Sequence, residues 1–199
     1  MNPSPDQAPV TEVRVITLGT ADQVWNDRSG ASFLRDQFFP PTAVDRPTVV
    51  VLDITSVPTM GTLKEFLVPL AQRIKGGLYG QLFLLVRSHD DDVAEFVRFL
   101  SREYDLPIFL ASPSAPEAPP GGELTSTEVA TIETLRSLGG ASTPPQLAQA
   151  IGIEPTAAGN RLVNLERKGY LYRVTRSRRR GDLFIDPWAN RPKPDMAPA

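Results

Sequence analysis

STPPQLAQAIGIEPTAAGNRLVNLERKGYLYRVTRSRRRGDLFID, residues 142–186, is the stretch on which the fold turns. Its apolar residues recur at helical spacing twice over and then alternate. Pro144–Ala150 reads as a two-turn helix with Leu147, Ala148 and Ile151 as core positions. Gly152 supplies the positive φ of a tight turn, and Ile153 fills the space between two helices. Pro155 suits the first position of the next helix, where its missing N–H costs nothing. In that helix Ala158, Leu162 and Leu165 face inward, leaving Thr156, Ala157, Gly159, Asn160, Arg161 and Asn164 outside. Gly169 closes it. Tyr170–Thr175 and Asp182–Ile185 then form a hairpin around the basic tip RSRRRG.

Charge separates this region from what precedes it. The chain of 199 residues carries a net charge of only −2, too balanced for a generic nucleic-acid binder. Residues 1–123, however, hold 10 basic and 16 acidic side chains, a net of −6, whereas residues 155–187 hold 8 and 3, a net of +5. Contact with nucleic acid therefore belongs to the C-terminal third. Hydrophobic residues make up 41% and charged residues 22%, which excludes wholesale disorder and allows one large core or two small ones. Without cysteine there are no disulfides or thiolate metal sites, and the single histidine, His89, excludes multi-histidine metal centres. The first residues lack a basic and apolar leader, and no apolar run reaches about 18 residues. A cytoplasmic protein without a membrane partner is expected.

The 142–186 stretch also carries a resemblance. AAGNRLVNLERKGYLYRV resembles the recognition helix and first wing strand of bacterial winged-helix transcription regulators of the MarR, ArsR or IclR kind. Leu162, Leu165, Glu166, Gly169 and Leu171 match their pattern, and Gly159 departs from it where a side chain is usual. The resemblance covers about 60 residues and implies a small α+β winged helix-turn-helix that inserts its second helix into a major groove. Arg161 and Asn160 have the donors to pair with guanine and adenine edges. Thr156, Ala157 and Asn164 share that face, and Arg173, Arg176, Arg178, Arg179 and Arg180 are placed to reach phosphates or a minor groove.

The acidic part reads as α/β. Glu12–Leu18 alternates like a strand, and Thr48–Ile54 and Gln81–Val86 are buried apolar runs. Leu106–Leu110 is a last short strand. Helices lie between them: one with Ala31, Leu34 and Phe38 at core spacing, then Thr62–Lys75 and Val93–Tyr104. Pro69 should kink the second or delay its start. Phe33, Phe38, Phe39, Phe66 and Phe99 fit the core faces of these helices. Strand–helix alternation implies a mixed or parallel sheet. VVVLDITSVPTMGTLKEFLVPLAQRI resembles STAS and STAS-like domains, in which an apolar strand ends in an aspartate and the next helix begins at a regulatory Ser or Thr. Asp53 and Thr62 occupy those positions, although the usual acidic-serine pair is replaced by Gly61-Thr62. Helix capping is the plainer role for Thr62, and loop organisation for Asp53. A response-regulator receiver also ends a buried strand in an aspartate. It is excluded, because only Asp22 follows the first strand and LPIFLASP has no lysine.

His89-Asp90-Asp91-Asp92 looks like a metal site, but four consecutive side chains do not converge, and acidic residues there favour a helix N-terminus. No phosphate-loop, dinucleotide, nucleophile-elbow or metal-ligand spacing occurs, so neither an enzyme nor a cofactor is expected. The expected layout is a disordered tail over 1–11, a STAS-like α/β domain over 12–111 and a Pro/Gly-rich linker over 112–123. A winged helix over 124–188 follows, with its opening helix at Thr125–Leu138 (Val129, Ile132, Leu135 and Leu138 inward), and then a second tail over 189–199. The expected function is a two-domain transcriptional regulator, a homodimer on double-stranded DNA, whose front domain takes a regulatory protein partner or signal. The alternative is a protein–protein adaptor without DNA binding.

Overall fold

The computed structural model describes residues 11–19, 28–56, 59–114, 120–175 and 181–189, which fall into two compact units. One spans Arg14–Leu124; the described part of the other is residues 11–13, 125–175 and 181–189.

In the first unit the β-branched run forms β2 (Val44–Ile54), with β3 (Gly80–Ser88) parallel to it and β4 (Ile108–Ala111) parallel to β3. β1 (Glu12–Leu18) completes a four-stranded sheet of order β1-β2-β3-β4. The Thr55 N–H donates to the Leu18 carbonyl at 2.9 Å, so β1 and β2 end side by side and the sheet is parallel throughout. The crossovers are α1 (Arg28–Phe38), α2 (Met60–Lys75) and α3 (Asp91–Glu103). Each steps one strand in the same direction, and right-handed connections then put all three helices on one face. The buried cluster agrees: Val50, Leu52, Ile54, Leu82, Leu84, Val86, Ile108 and Leu110 pack with Ala31, Leu34, Leu63, Phe66, Leu67 and Val97. Val49, Val51, Phe83, Leu85 and Phe109, at the alternate positions, are buried as well, which is why these strands are unbroken apolar runs.

Several details differ from the sequence expectation. α2 starts at Met60, and its cap is Thr59, whose hydroxyl accepts the Thr62 N–H at 3.1 Å. Thr62 sits one turn in, 3% exposed, its hydroxyl 2.9 Å from that of Thr59. A hydroxyl so placed supports the cap. Pro69 does not break α2. A proline has no N–H for the carbonyl four residues back, here Glu65. Arg35 of α1, 7% exposed, donates to that carbonyl from Nη1 at 3.1 Å. Phe39 and Phe66 are buried edge-to-face at 6.4 Å, but Phe33 (68% exposed) and Phe99 (55%) lie outside the core. Phe99 stacks on Phe96 instead. The 112–123 stretch is held at both ends. The Ser114 hydroxyl donates to Asp91 at 2.8 Å, Pro120 bridges Phe109, and the Gly121 N–H donates to the Ile108 carbonyl at 2.7 Å. Residues 115–119 lie outside the described ones.

The second unit runs α4 (Ser126–Ser137), β5 (Ala141–Ser142), α5 (Pro144–Ile151), α6 (Pro155–Arg167), β6 (Tyr172–Val174) and β7 (Leu183–Ile185). Its strands pair antiparallel in the order β5-β7-β6. β5 was not foreseen; two residues are too short for an alternation to register. On α4 the inward positions are Glu128, Thr131, Ile132 and Leu135, while Val129 and Leu138 are exposed. Glu128 turns inward because its carboxylate closes a capping box on the Thr125 N–H at 2.8 Å and takes Lys168, just past α6, at 2.9 Å. Thr11, expected in the tail, is fully buried with its hydroxyl 3.2 Å from that of Tyr172. Residues 1–10 and 190–199 lie outside the described ones. Among the described residues no helix is long and apolar enough to cross a membrane.

Burial pushes the Glu128 carboxyl up. The Thr125 N–H, Lys168 and the Thr125 hydroxyl outweigh it and hold the pKa below its ordinary value of 4.5. A depressed carboxylate adds stability above the unfolded pKa and loses it as pH falls through the folded one. Glu128→Gln is therefore expected to lower the melting temperature at pH 7, with the gap from wild type closing as pH falls below about 4.5. Thermal melts across that range check it; a gap constant with pH would mean that the carboxylate charge is not what stabilises.

Candidate nucleic-acid interface

The α5–α6 pair is built by local chemistry. Thr143 precedes α5 and gives its N–H to the Gln146 side chain at 2.9 Å. Gly152 ends α5 at φ 69°, and the Ile153 N–H returns to the Ala148 carbonyl at 3.1 Å. The chain re-enters a helix at Pro155. Ala158, Leu162 and Leu165 are fully buried. At the far end Gly169 (φ 82°) and Tyr170 return their N–H groups to Glu166 and Leu165 at 2.9 and 3.0 Å, which aims the chain into β6.

α6 therefore presents one fixed outer face. Thr156, Ala157, Asn160 and Asn164 are exposed on it and Arg161 is half-buried. Arg167, which sequence reasoning passed over, is exposed at the spacing that continues Asn160 and Asn164. Among the described residues the side chains of Thr156, Asn160, Arg161, Asn164 and Arg167 make no hydrogen bond or ion pair. Gly159 belongs elsewhere: a Cβ there would meet Pro144 at 3.7 Å, so it faces α5. At the start of α6 the cap position is Glu154, which makes no side-chain capping bond, and Pro155 at the first helical position has no N–H to offer.

Three other described cations of this unit, Arg136, Lys168 and Arg173, are paired internally. Arg136 donates to Asp186 at 2.7 Å, and Asp186, fully buried, also accepts the Trp188 N–H at 2.8 Å. The Asp186 N–H reaches back to the Gly140 carbonyl, so α4, β5 and the end of β7 are tied at one point. Lys168 lies on Glu128. Arg173 on β6 lies between Glu166 at 3.3 Å and Asp182 at 3.5 Å. Arg176, Arg178, Arg179 and Arg180 fall outside the described residues.

In the α/β unit Asp53 faces its register partner Arg87 across β2 and β3 and takes its guanidinium through both oxygens, at 2.9 and 2.7 Å. His89 adds a contact at 3.0 Å. The Arg87 guanidinium outweighs burial, which pushes the Asp53 carboxyl up, and with a smaller part from His89 holds it below its ordinary value. The aspartate thus pairs two strands, where sequence reading expected a loop organiser. The acidic run diverges as its spacing requires: Asp90 caps α3 through the Asp92 N–H at 2.8 Å, and Asp91 takes Ser114. Among the described residues no group of three or more His, Asp or Glu side chains is placed to hold a metal. A cleft of about 350 Å³ opens beyond the ends of β2 and β3, lined by Thr55, Ser56, Thr59, Ser88 and Asp90 among others. Its Ser88 hydroxyl is taken by the Asp90 backbone at 2.7 Å and its Thr59 hydroxyl by the α2 cap.

No protein-family model, curated protein or solved structure matches the chain.

Proposed function

We propose that this chain is a DNA-binding transcriptional regulator. Its C-terminal unit acts as a winged helix-turn-helix with α6 in the major groove, and its acidic, STAS-like α/β unit supplies dimerisation, a protein contact or signal input. The outer face of α6 carries the reading: Thr156, Asn160, Asn164 and Arg167 are exposed, Arg161 is half-buried, and none of their side chains has a hydrogen bond or ion pair among the described residues. Base-reading donors that are rigidly mounted and unspent are what direct readout requires.

The test is retardation of a random-sequence duplex at low salt, followed by selection of bound fragments. Arg161→Ala is expected to lower affinity for the selected sequence roughly ten- to a hundredfold and to relax preference at one base step. Replacing Arg178, Arg179 and Arg180 together is expected to weaken binding on every sequence and to flatten the salt dependence by about 0.9 unit per lost phosphate contact. Unchanged affinity in the triple variant would remove the hairpin tip from the interface.

A protein-adaptor role is the second reading. The exposed Phe33 and the Phe96–Phe99 stack on the α/β unit favour it, since aromatic side chains are enriched at protein interfaces. Complete absence of retardation, with a stable protein complex from host lysate, decides for the adaptor.

A further inference from the structure

We infer that Glu166 and Asp182 hold Arg173 out of DNA contact, so that the base of the hairpin limits the affinity of the protein for DNA and does not add to it. This rests on the DNA-binding reading and specifies which charges of that site are silent. Arg173 lies at the start of the hairpin, where a phosphate contact is expected from the sequence. Its Nε is 3.3 Å from Glu166 and its Nη1 is 3.5 Å from Asp182, two carboxylates from opposite sides, one at the end of α6 and one at the foot of β7. Exposed pairs of this kind are individually weak, so their strength does not lock the arginine. The local sum decides. Two negative charges around one positive leave the group at −1, and an approaching phosphate meets that net repulsion before it meets the guanidinium. Lys168 is similarly engaged by Glu128. Of the four described cations between Arg161 and Arg173, only Arg161 and Arg167 are then counted by a DNA backbone.

Counterion release makes the count measurable, because each phosphate neutralised adds about 0.9 to the slope of log affinity against log salt. The experiment is fluorescence anisotropy of a labelled random-sequence duplex titrated with the full chain, at potassium chloride concentrations from about 50 to about 300 mM. Arg173→Gln is expected to leave the wild-type slope unchanged, and Arg173→Lys likewise. The double variant Glu166→Gln/Asp182→Asn, which keeps side-chain volume, is expected to bind more tightly and to steepen the slope by about 0.9. Adding Arg173→Gln to it should return the slope to the wild-type value, since the gained contact is Arg173 itself. A slope that falls by about 0.9 in Arg173→Gln alone overturns the inference, as does a triple variant as steep as the double. No binding by the wild type at the lowest salt overturns the DNA-binding reading, and this inference with it.

Discussion

Arg136→Met should destabilise the C-terminal unit by about 3–5 kcal/mol, more than Asp186→Asn does, although the two residues form one ion pair. The asymmetry comes from burial. The Asp186 side chain is 0% exposed and that of Arg136 is 23% exposed. Without Arg136 a carboxylate remains in the interior with two backbone N–H groups, from Trp188 and Ala189, and no counter-charge. Without the charge on Asp186, asparagine still accepts those N–H groups and the guanidinium turns to water. Removing both charges, as Arg136→Met/Asp186→Asn, should cost less than Arg136→Met alone. Urea unfolding followed by Trp188 fluorescence in a Trp25→Phe background reads this unit. If Asp186→Asn proves the costlier change, the carboxylate acts as a backbone acceptor and not as a buried charge.

That pair also shows what the sequence could not disclose. Asp186 stands 50 residues from Arg136, and Lys168 stands 40 from Glu128. Neither a period nor a local motif links side chains so far apart, so the inward turn of Glu128 left no mark in the sequence. Thr59 and Thr62 are a local version of the problem. Both are hydroxyls at a helix start, three residues apart, and only the backbone of Thr59 (φ −151°, ψ 155°) marks it as the cap. Spacing likewise put Phe33 and Phe99 on core faces, because a wheel gives an angle and not the neighbour that fills it. What was legible rested on strong short-range signals: the unbroken apolar runs of β2 and β3, the Gly152–Pro155 turn, and Ala158, Leu162 and Leu165 on α6. The outer face of α6 followed by subtraction.

The proposed interface and these internal pairs are two sides of one allocation of charge. Four elements of the C-terminal unit are fastened by ion pairs: α4 to the end of β7, α4 to the end of α6, and β6 both to α6 and to the foot of β7. Each tie consumes a cation that a residue count would assign to DNA. Among the described residues, a small set on α6 remains outside these ties and is held at a fixed angle by them. Specific readout needs that order of priorities, since a base contact loses its discrimination once the helix that carries it can rock.

Pro69 gives the last expected result. Replacing Arg35 by Met, which keeps the length of the stem and removes its donors, should destabilise the α/β unit by about 1–3 kcal/mol, the cost of an unsatisfied buried carbonyl. The Glu65 carbonyl lacks its helical donor because residue 69 is proline, and Arg35 Nη1 supplies the substitute at 3.1 Å. In a Pro69→Ala background the new N–H serves that carbonyl, so the same Arg35→Met change should cost about 1 kcal/mol less. Loss of Pro69 alone should be close to neutral or stabilising, since a proline in the interior of a helix is otherwise costly. The four chemical denaturation curves form a double-mutant cycle. A coupling energy of zero would mean that Arg35 contributes only through packing and its contact with Asp36 at 3.2 Å. A coupling of the expected sign would show that a helix carries an interior proline because a neighbouring helix completes its hydrogen bonding, so that this carbonyl joins α1 to α2 beside the Arg73–Asp36 pair at 2.8 Å.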